Sequence, residues 1–165
     1  MRRVNPALFF CLALISGSTP HTAQADAHIG RNSIASDLMV RYAAFGDYAD
    51  HFSRFAESVG PTDRDSVVVA DLEGEADLAS ELLFAAFNDL GIYDELSCPA
   101  DRARIKPIIA TLLRYYSDEF AKRAIIVSKF GMALHHTEIA NESRKMEADL
   151  RSAKERLDAI GASLP

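Results

Sequence analysis

The sequence predicts an all-α protein: an antiparallel bundle of about four helices, with a long C-terminal helix that either folds back or extends as a coiled-coil arm. Three observations favour this fold class. Apolar residues recur at alternating spacings of four and three, turn signals separate the long segments, and the period-2 alternation of strands is absent. Residues 26–165 form one predicted helical domain, because a chain of this length can bury a core without disulfide support.

The first predicted helix begins near Ser33 or Ser36 and ends at Gly60-Pro61, where glycine supplies a left-handed cap and proline cannot continue the helix. Its apolar side chains fall on one stripe, as a bundle helix requires. They are Leu38, Tyr42, Phe45, Ala49, Phe52, Ala56 and Val59. Thr62 or Asp63 can open the second helix, which we expect to end at Gly91.

The third predicted helix follows a loop through Cys98-Pro99, and Pro107 marks either its first turn or a kink. Because Gly131 is the one glycine between Ile108 and Ile160, and no proline occurs there, the chain either continues as one helix or turns back near Gly131. The charged C-terminal segment carries a narrow apolar stripe typical of coiled coils. We therefore expect three residues of this stripe to contact a partner or a second copy of the chain: Met146, Leu150 and Leu157.

Residues 1–25 have the pattern of a cleavable secretory signal peptide. Arg2-Arg3 precede an apolar run from Ala7 to Ile15, and Ala23-Gln24-Ala25 matches the A-x-A cleavage sequence. The apolar run is about half of the ~20 residues that a membrane-spanning helix needs. We therefore expect a bacterial protein that is periplasmic or released to the medium, with no membrane span after cleavage.

Charge is distributed unevenly along the chain. Loss of Arg2 and Arg3 with the leader leaves sixteen basic residues against twenty-four acidic ones, a net charge of −8. Residues 62–101 hold eleven acids and one base, whereas residues 102–165 hold twelve bases and eight acids. An acidic chain repels phosphates, so no nucleic-acid partner is expected. The acids face either the basic C-terminal half or a basic partner, and the candidate partner-binding acids are Asp71, Glu73, Glu75 and Asp77.

Aromatic and cysteine residues add two further expectations. Tyr115 and Tyr116 are adjacent on a helix, so one should be buried, and the exposed one, for which we choose Tyr115, is a candidate partner-binding anchor. After cleavage the remaining cysteine, Cys98, cannot form an internal disulfide. It is therefore buried, reactive or paired with another chain.

A metal site is the main chemical alternative. His135 and Glu138 form an i,i+3 pair on one helix face, and with His136 they are candidate ligands for zinc or copper. The acidic run from Asp71 does not fit a calcium loop, because its sixth and twelfth positions hold Ala76 and Leu82. No catalytic motif or cofactor fingerprint occurs, so neither an enzyme nor a bound cofactor is expected.

Together these features predict a non-enzymatic periplasmic protein-binding module for another exported or envelope protein. Its role would be that of an inhibitor or immunity protein, or of a chaperone-like adaptor. The alternative is a periplasmic metal-binding or metal-sensing helical bundle. A homodimer through the C-terminal helix is a third possibility.

Overall fold

A computed structural model of the protein describes the backbone of residues 22–164 and the side chains of residues 33–164. Four helices follow one another in this part of the chain: α1 (Thr22–Val59), α2 (Ser66–Glu95), α3 (Pro99–Ala133) and α4 (Thr137–Ser163). The chain divides after Asn32, and the unit from Ser33 onward is the one described below. The all-α prediction is therefore confirmed.

The predicted signal peptide lies mainly outside the described residues. Its basic start and apolar run belong to residues 1–21, and only the predicted cleavage sequence at 23–25 falls within α1. Export therefore stays a prediction from sequence. Between residues 22 and 164, no helix combines the length and the apolar character needed to cross a bilayer.

The four helices run alternately up and down, because short connections at 60–65, 96–98 and 134–136 reverse the chain each time. Hydrogen bonds join each helix to its two neighbours around the bundle. They are Ser80 Oγ to the Tyr42 carbonyl, Tyr116 Oη to Asp89, Ser117 Oγ to Asp158 and Tyr48 Oη to Asp149. The diagonal helices α1 and α3 meet in the core, where the ring centroids of Phe45 and Phe120 lie 6.0 Å apart.

The core consists of one apolar stripe from each helix, as the 4-3 spacing predicts. Each large apolar side chain that is removed from water stabilises the fold by roughly 1.5–3 kcal/mol. The largest fully buried side chains include Phe45, Phe52, Leu72, Leu83, Leu113, Phe120, Met146, Leu150 and Leu157. Tyr42 departs from the predicted stripe, because it lies at the surface and its ring contacts Phe84 of α2.

Helix α4 folds back and packs along α3 and α1, so the C-terminal segment is the fourth helix of the bundle and not an extended arm. The three stripe residues expected to contact a partner, Met146, Leu150 and Leu157, have no exposed surface. Their apolar side chains are already covered by the other helices of the same chain. The expected contact of these three residues with a partner or a second copy is therefore wrong, because they pack inside the bundle of their own chain.

Gly131 permits a close approach between α3 and α4. It lies inside α3, and the connection follows three residues later, at 134–136. A Cβ atom at this position would lie 2.7 Å from Ser143 Oγ of α4. Ser143 is buried and donates a hydrogen bond of 3.2 Å to the Val127 carbonyl, so it has little freedom to move away.

Four predicted helix boundaries differ from the structure. Helix α1 begins at Thr22, before the predicted start near Ser33 or Ser36. Helix α2 begins at Ser66, after Thr62 and Asp63, and it continues through Gly91 to Glu95. The extra turn after Gly91 places Tyr93 in the core, where the side chain is 1% exposed. Helix α3 already begins at Pro99. Proline is tolerated at this first position because the amide N–H that it lacks would have no partner within the helix. Pro107 lies inside α3. Cys98 is exposed just before α3, which excludes burial among its three alternatives.

Replacement of Gly131 by alanine should destabilise the protein, because the added methyl group collides with Ser143. We expect Gly131→Ala to lower the free energy of unfolding by about 1–3 kcal/mol, the range for overpacking. Gly74→Ala is the matched control, since Gly74 lies inside α2 with nothing near its Cβ position. It should raise the free energy of unfolding by about 0.5–1 kcal/mol. Urea denaturation measures both, and equal stabilisation by the two changes would contradict the close approach.

Candidate functional site

A group of carboxylates and imidazoles lies where the α1–α2 and α3–α4 connections meet at one end of the bundle. Gly60, with φ of +80°, ends α1 and turns the chain into Pro61. Successive turns follow, in which the Asp63 amide donates to the Gly60 carbonyl and the Ser66 amide to the Asp63 carbonyl. The α3–α4 connection adds His135 and His136. We name Asp63, Asp65, His135 and His136 the polar cluster.

Asp65 is the centre of the polar cluster. Its side chain is 1% exposed, and Oδ2 accepts the backbone N–H groups of His135 and His136, both at 2.8 Å. Oδ1 lies 2.9 Å from Nδ1 of His135. The Asp65 carbonyl accepts the Val69 amide and so begins α2. One residue therefore joins the first turn of α2 to the start of α4.

Asp63 and His136 form the outer half of the cluster. Asp63 Oδ1 accepts the backbone N–H of Asp65 at 2.8 Å, which fixes the turn before α2. The other carboxylate oxygen, Oδ2, lies 3.2 Å from Nε2 of His136. The ring of His136 packs edge-on against Phe55 of α1, with centroids 5.2 Å apart. Helix α1 and the α1–α2 connection therefore position this imidazole.

Hydrogen bonds favour the ionised form of both carboxyl groups. The backbone N–H of Asp65, followed by the His136 ring, lowers the pKa of Asp63 below its ordinary value. Burial raises the pKa of Asp65, but the His136 N–H and the ring and N–H of His135 together outweigh it, so the net shift is downward. Within residues 33–164, no lysine or arginine forms an ion pair with either carboxylate.

The structure changes the predicted set of metal ligands. His136 lies with Asp63 and Asp65, and one ligand atom from each lies within 4.8 Å of the other two. His135 contacts Asp65, whereas Glu138 is exposed in the first turn of α4 and does not join this group. The two aspartates are about 70 residues from the histidines in sequence, so helical spacing could not reveal them. The bundle topology was the signal that could have revealed them, because an up-and-down bundle brings the α1–α2 and α3–α4 connections to the same end.

The acidic residues of α2 are only partly neutralised within the chain. Glu75 accepts a 2.7 Å hydrogen bond from Arg123 of α3, and both side chains are largely buried. Asp71 and Asp77 are exposed and Glu73 is half-buried, and the structure gives none of the three an ion pair. The hypothesis of internal neutralisation therefore holds for Glu75, whereas a basic partner for the acids that face solvent stays a prediction.

One side of α2 points away from the bundle along its whole length. Its exposed residues recur at spacings of four and three, with one step of seven across the half-buried Ala85, and we name them the outer face of α2: Val67, Asp71, Gly74, Leu78, Glu81, Asn88 and Ile92. Val67 is 71% exposed and Ile92 is 59% exposed. Asp77 and Phe84 border this face on the side of α1. The outer face of α2 thus combines apolar and acidic side chains.

The adjacent tyrosines divide as their helical positions predict. Tyr116 is buried and donates to Asp89 of α2, and burial followed by this hydrogen bond raises the pKa of Tyr116 to about 12. Tyr115 is 54% exposed. It belongs to α3, so it does not belong to the outer face of α2.

Removal of the Asp65 carboxylate should destabilise the bundle strongly. Asp65→Ala leaves two backbone N–H groups without their acceptor, and we expect the free energy of unfolding to fall by about 2–4 kcal/mol. Asp71→Ala is the matched control on the same helix, because Asp71 is exposed and unpaired; it should change stability by less than about 0.5 kcal/mol. Urea denaturation of both variants tests this, and equal effects would argue against a structural role for Asp65.

Acid should weaken the same interactions. The pKa values of Asp63 and Asp65 are lower in the folded protein than in the unfolded chain. Their contribution to the free energy of unfolding is therefore complete above the unfolded pKa of about 3.9. It disappears as the pH falls through the lower folded values. Wild type should therefore lose more stability than Asp65→Asn between about pH 5 and pH 2. Parallel stability curves for the two proteins would contradict this linkage.

Comparison with known proteins does not assign a role to the polar cluster or to the outer face of α2. No family model, curated protein or solved structure matches the chain. A function must therefore be argued from the charges, exposed side chains and polar cluster of this chain itself.

Proposed function

We propose that this protein is a non-enzymatic periplasmic protein-binding module, and that the outer face of α2 binds a basic, partly apolar helix of another exported protein. One observation carries the proposal. Helix α2 contains eight acids and no lysine, arginine or histidine, and it exposes free carboxylates beside exposed apolar side chains. Such a surface fits a partner that supplies both cations and apolar contacts.

The contrast with α4 supports this interpretation. Helix α4 is also highly charged, but its own bases pair with three of its six acids at i,i+3 and i,i+4 spacings. These pairs are Glu142–Lys145, Glu147–Arg151 and Lys154–Asp158. Helix α2 has no base to form such pairs, so Asp71, Asp77 and Glu81 lie at the surface without an ion pair within their own helix. A cationic partner is attracted over distances set by the Debye length, which is about 8 Å at physiological salt.

The spacing of the exposed apolar residues indicates a helical partner. Val67, Leu78 and Ile92 recur along the outer face with the four-and-three register by which helices pack side by side. Phe84 adds a 46% exposed ring at the edge of this face. Aromatic and aliphatic side chains supply the desolvated contacts of an interface, while the surrounding carboxylates select the charge of the partner.

Two biological roles fit this surface. An inhibitor or immunity protein would cover a basic region of an exported toxin, and a chaperone-like adaptor would hold a basic amphipathic segment during passage through the envelope. Both use the same chemistry, since the acidic face recognises cationic helices. The predicted signal peptide supports the periplasm as the place where the partner is met.

A synthetic amphipathic helix with leucine on one face and lysine on its flanks tests the surface. We expect it to bind, with an affinity that falls when salt rises from about 0.1 M to about 1 M. Asp71→Asn combined with Glu81→Gln should weaken binding about three- to tenfold, since each exposed ion pair contributes up to about 1 kcal/mol. Fluorescence anisotropy of the labelled peptide measures the dissociation constants.

A charge-matched control separates this surface from general acidity. Asp118→Asn combined with Glu155→Gln removes two exposed acids from α3 and α4, so it reduces the net negative charge equally but should leave the affinity unchanged. Equal weakening by the two double variants would show non-specific attraction and contradict the proposal.

In the exporting cell, a photo-cross-linker at Leu78 should capture a protein with a basic helical segment. The same adducts from a cross-linker at Glu155 would also contradict the proposal.

A further inference from the structure

We propose that the polar cluster binds a divalent transition-metal ion, with Asp63, Asp65 and His136 as its protein ligands and Zn²⁺ as the ion that fits best. This site lies at the end of the bundle where two connections meet, and it is independent of the outer face of α2. Its ligand set differs from the one that helical spacing predicts, because two aspartates from the α1–α2 connection take the place of His135 and Glu138.

The distances require only small movements. One potential ligand atom from each of the three residues lies within 4.8 Å of the other two, and Nε2 of His136 is 3.2 Å from Oδ2 of Asp63. Zinc binds nitrogen and oxygen at about 2.0–2.2 Å, so tetrahedral ligand atoms lie roughly 3.4 Å apart. The His136–Asp63 pair already has this separation. The most distant pair, within 4.8 Å, must close by at most about 1.4 Å.

Each ligand atom has an electron pair available for the ion. A carboxylate offers about four acceptor positions. Asp65 uses three, for the His135 N–H, the His136 N–H and the His135 ring. Asp63 Oδ2 contacts only His136, and Nε2 of that ring can exchange this contact for a metal bond as the neutral imidazole. The backbone hydrogen bonds that hold Asp65 in place remain intact.

The charge of the cluster also favours a cation. Two carboxylates lie together, one of them 1% exposed, and in the part of the chain that the structure describes neither has a lysine or arginine partner. Among the described residues, their negative charge is compensated by hydrogen-bond donors and imidazole rings. A divalent ion between the carboxylates would neutralise them where partial burial strengthens electrostatic interactions.

The donor set selects among metals. One imidazole and two carboxylates suit Zn²⁺ or Cu²⁺, whereas Ca²⁺ requires six to eight oxygen ligands. Three protein ligands leave the fourth zinc position to water. His135 holds Asp65 through Nδ1 and acts as a positioning residue, in the manner of groups that orient metal-bound carboxylates.

Isothermal titration of the untagged protein with ZnCl₂ tests the site. We expect one binding event, and His136→Ala or Asp63→Asn should weaken it by more than about 100-fold, beyond the range of positioning residues. His135→Ala should weaken it by about tenfold. Glu138→Gln is the matched control and should bind as wild type, since Glu138 is exposed outside the cluster.

Thermal unfolding gives a second readout that does not depend on binding heat. Zinc should raise the midpoint of wild type and Glu138→Gln but not that of His136→Ala, because only a ligand bound to the folded state stabilises it. All variants should show the same helicity in chelator. Absence of zinc binding in wild type, or zinc binding that survives both His136→Ala and Asp63→Asn, would overturn the proposal. Displacement of zinc by equimolar Ca²⁺ would overturn the role of the imidazole.

Discussion

The buried carboxylate of Asp65 is the constraint on which the arrangement of the two connections depends. An ionised group with 1% exposure is costly unless hydrogen-bond donors surround it. Here the donors are the backbone N–H groups of His135 and His136, which lie 70 and 71 residues further along the sequence. The carboxylate is also favourably placed near the positive end of the α4 dipole. The start of α2 and the start of α4 are therefore fixed by one side chain.

Local patterns predicted the helices, because each apolar stripe is a property of a single segment. Phe45, Phe52 and Leu150 are buried as their spacing requires. Helix ends were harder to predict, since they depend on contacts with distant residues. Helix α2 passes through Gly91 because the burial of Tyr93 outweighs the low helix propensity of glycine. Asp65 was missed for the same reason: its donors are 70 residues away.

The candidate surfaces show the same limit of sequence reasoning. A narrow apolar stripe with charged flanks is compatible with a seam between chains or within one chain, and α4 uses it within the chain. The acidic run of α2 contains both kinds of residue: Glu75 pairs inside the bundle with Arg123, while Asp71 remains free at the surface. Which carboxylate finds a base depends on helix rotation relative to α3. Sequence spacing alone does not supply that angle.

Backbone amide hydrogen exchange at His135 and His136 tests the central role of Asp65 most directly. Both amides lie at a helix connection, where exchange is normally fast. Their hydrogen bonds to the buried carboxylate predict slow exchange, close to that of residues inside α4, and strong acceleration in Asp65→Asn. Ser97 in the exposed α2–α3 connection is the internal reference for fast exchange. Exchange at His135 and His136 as fast as at Ser97 in the wild-type protein would contradict the account.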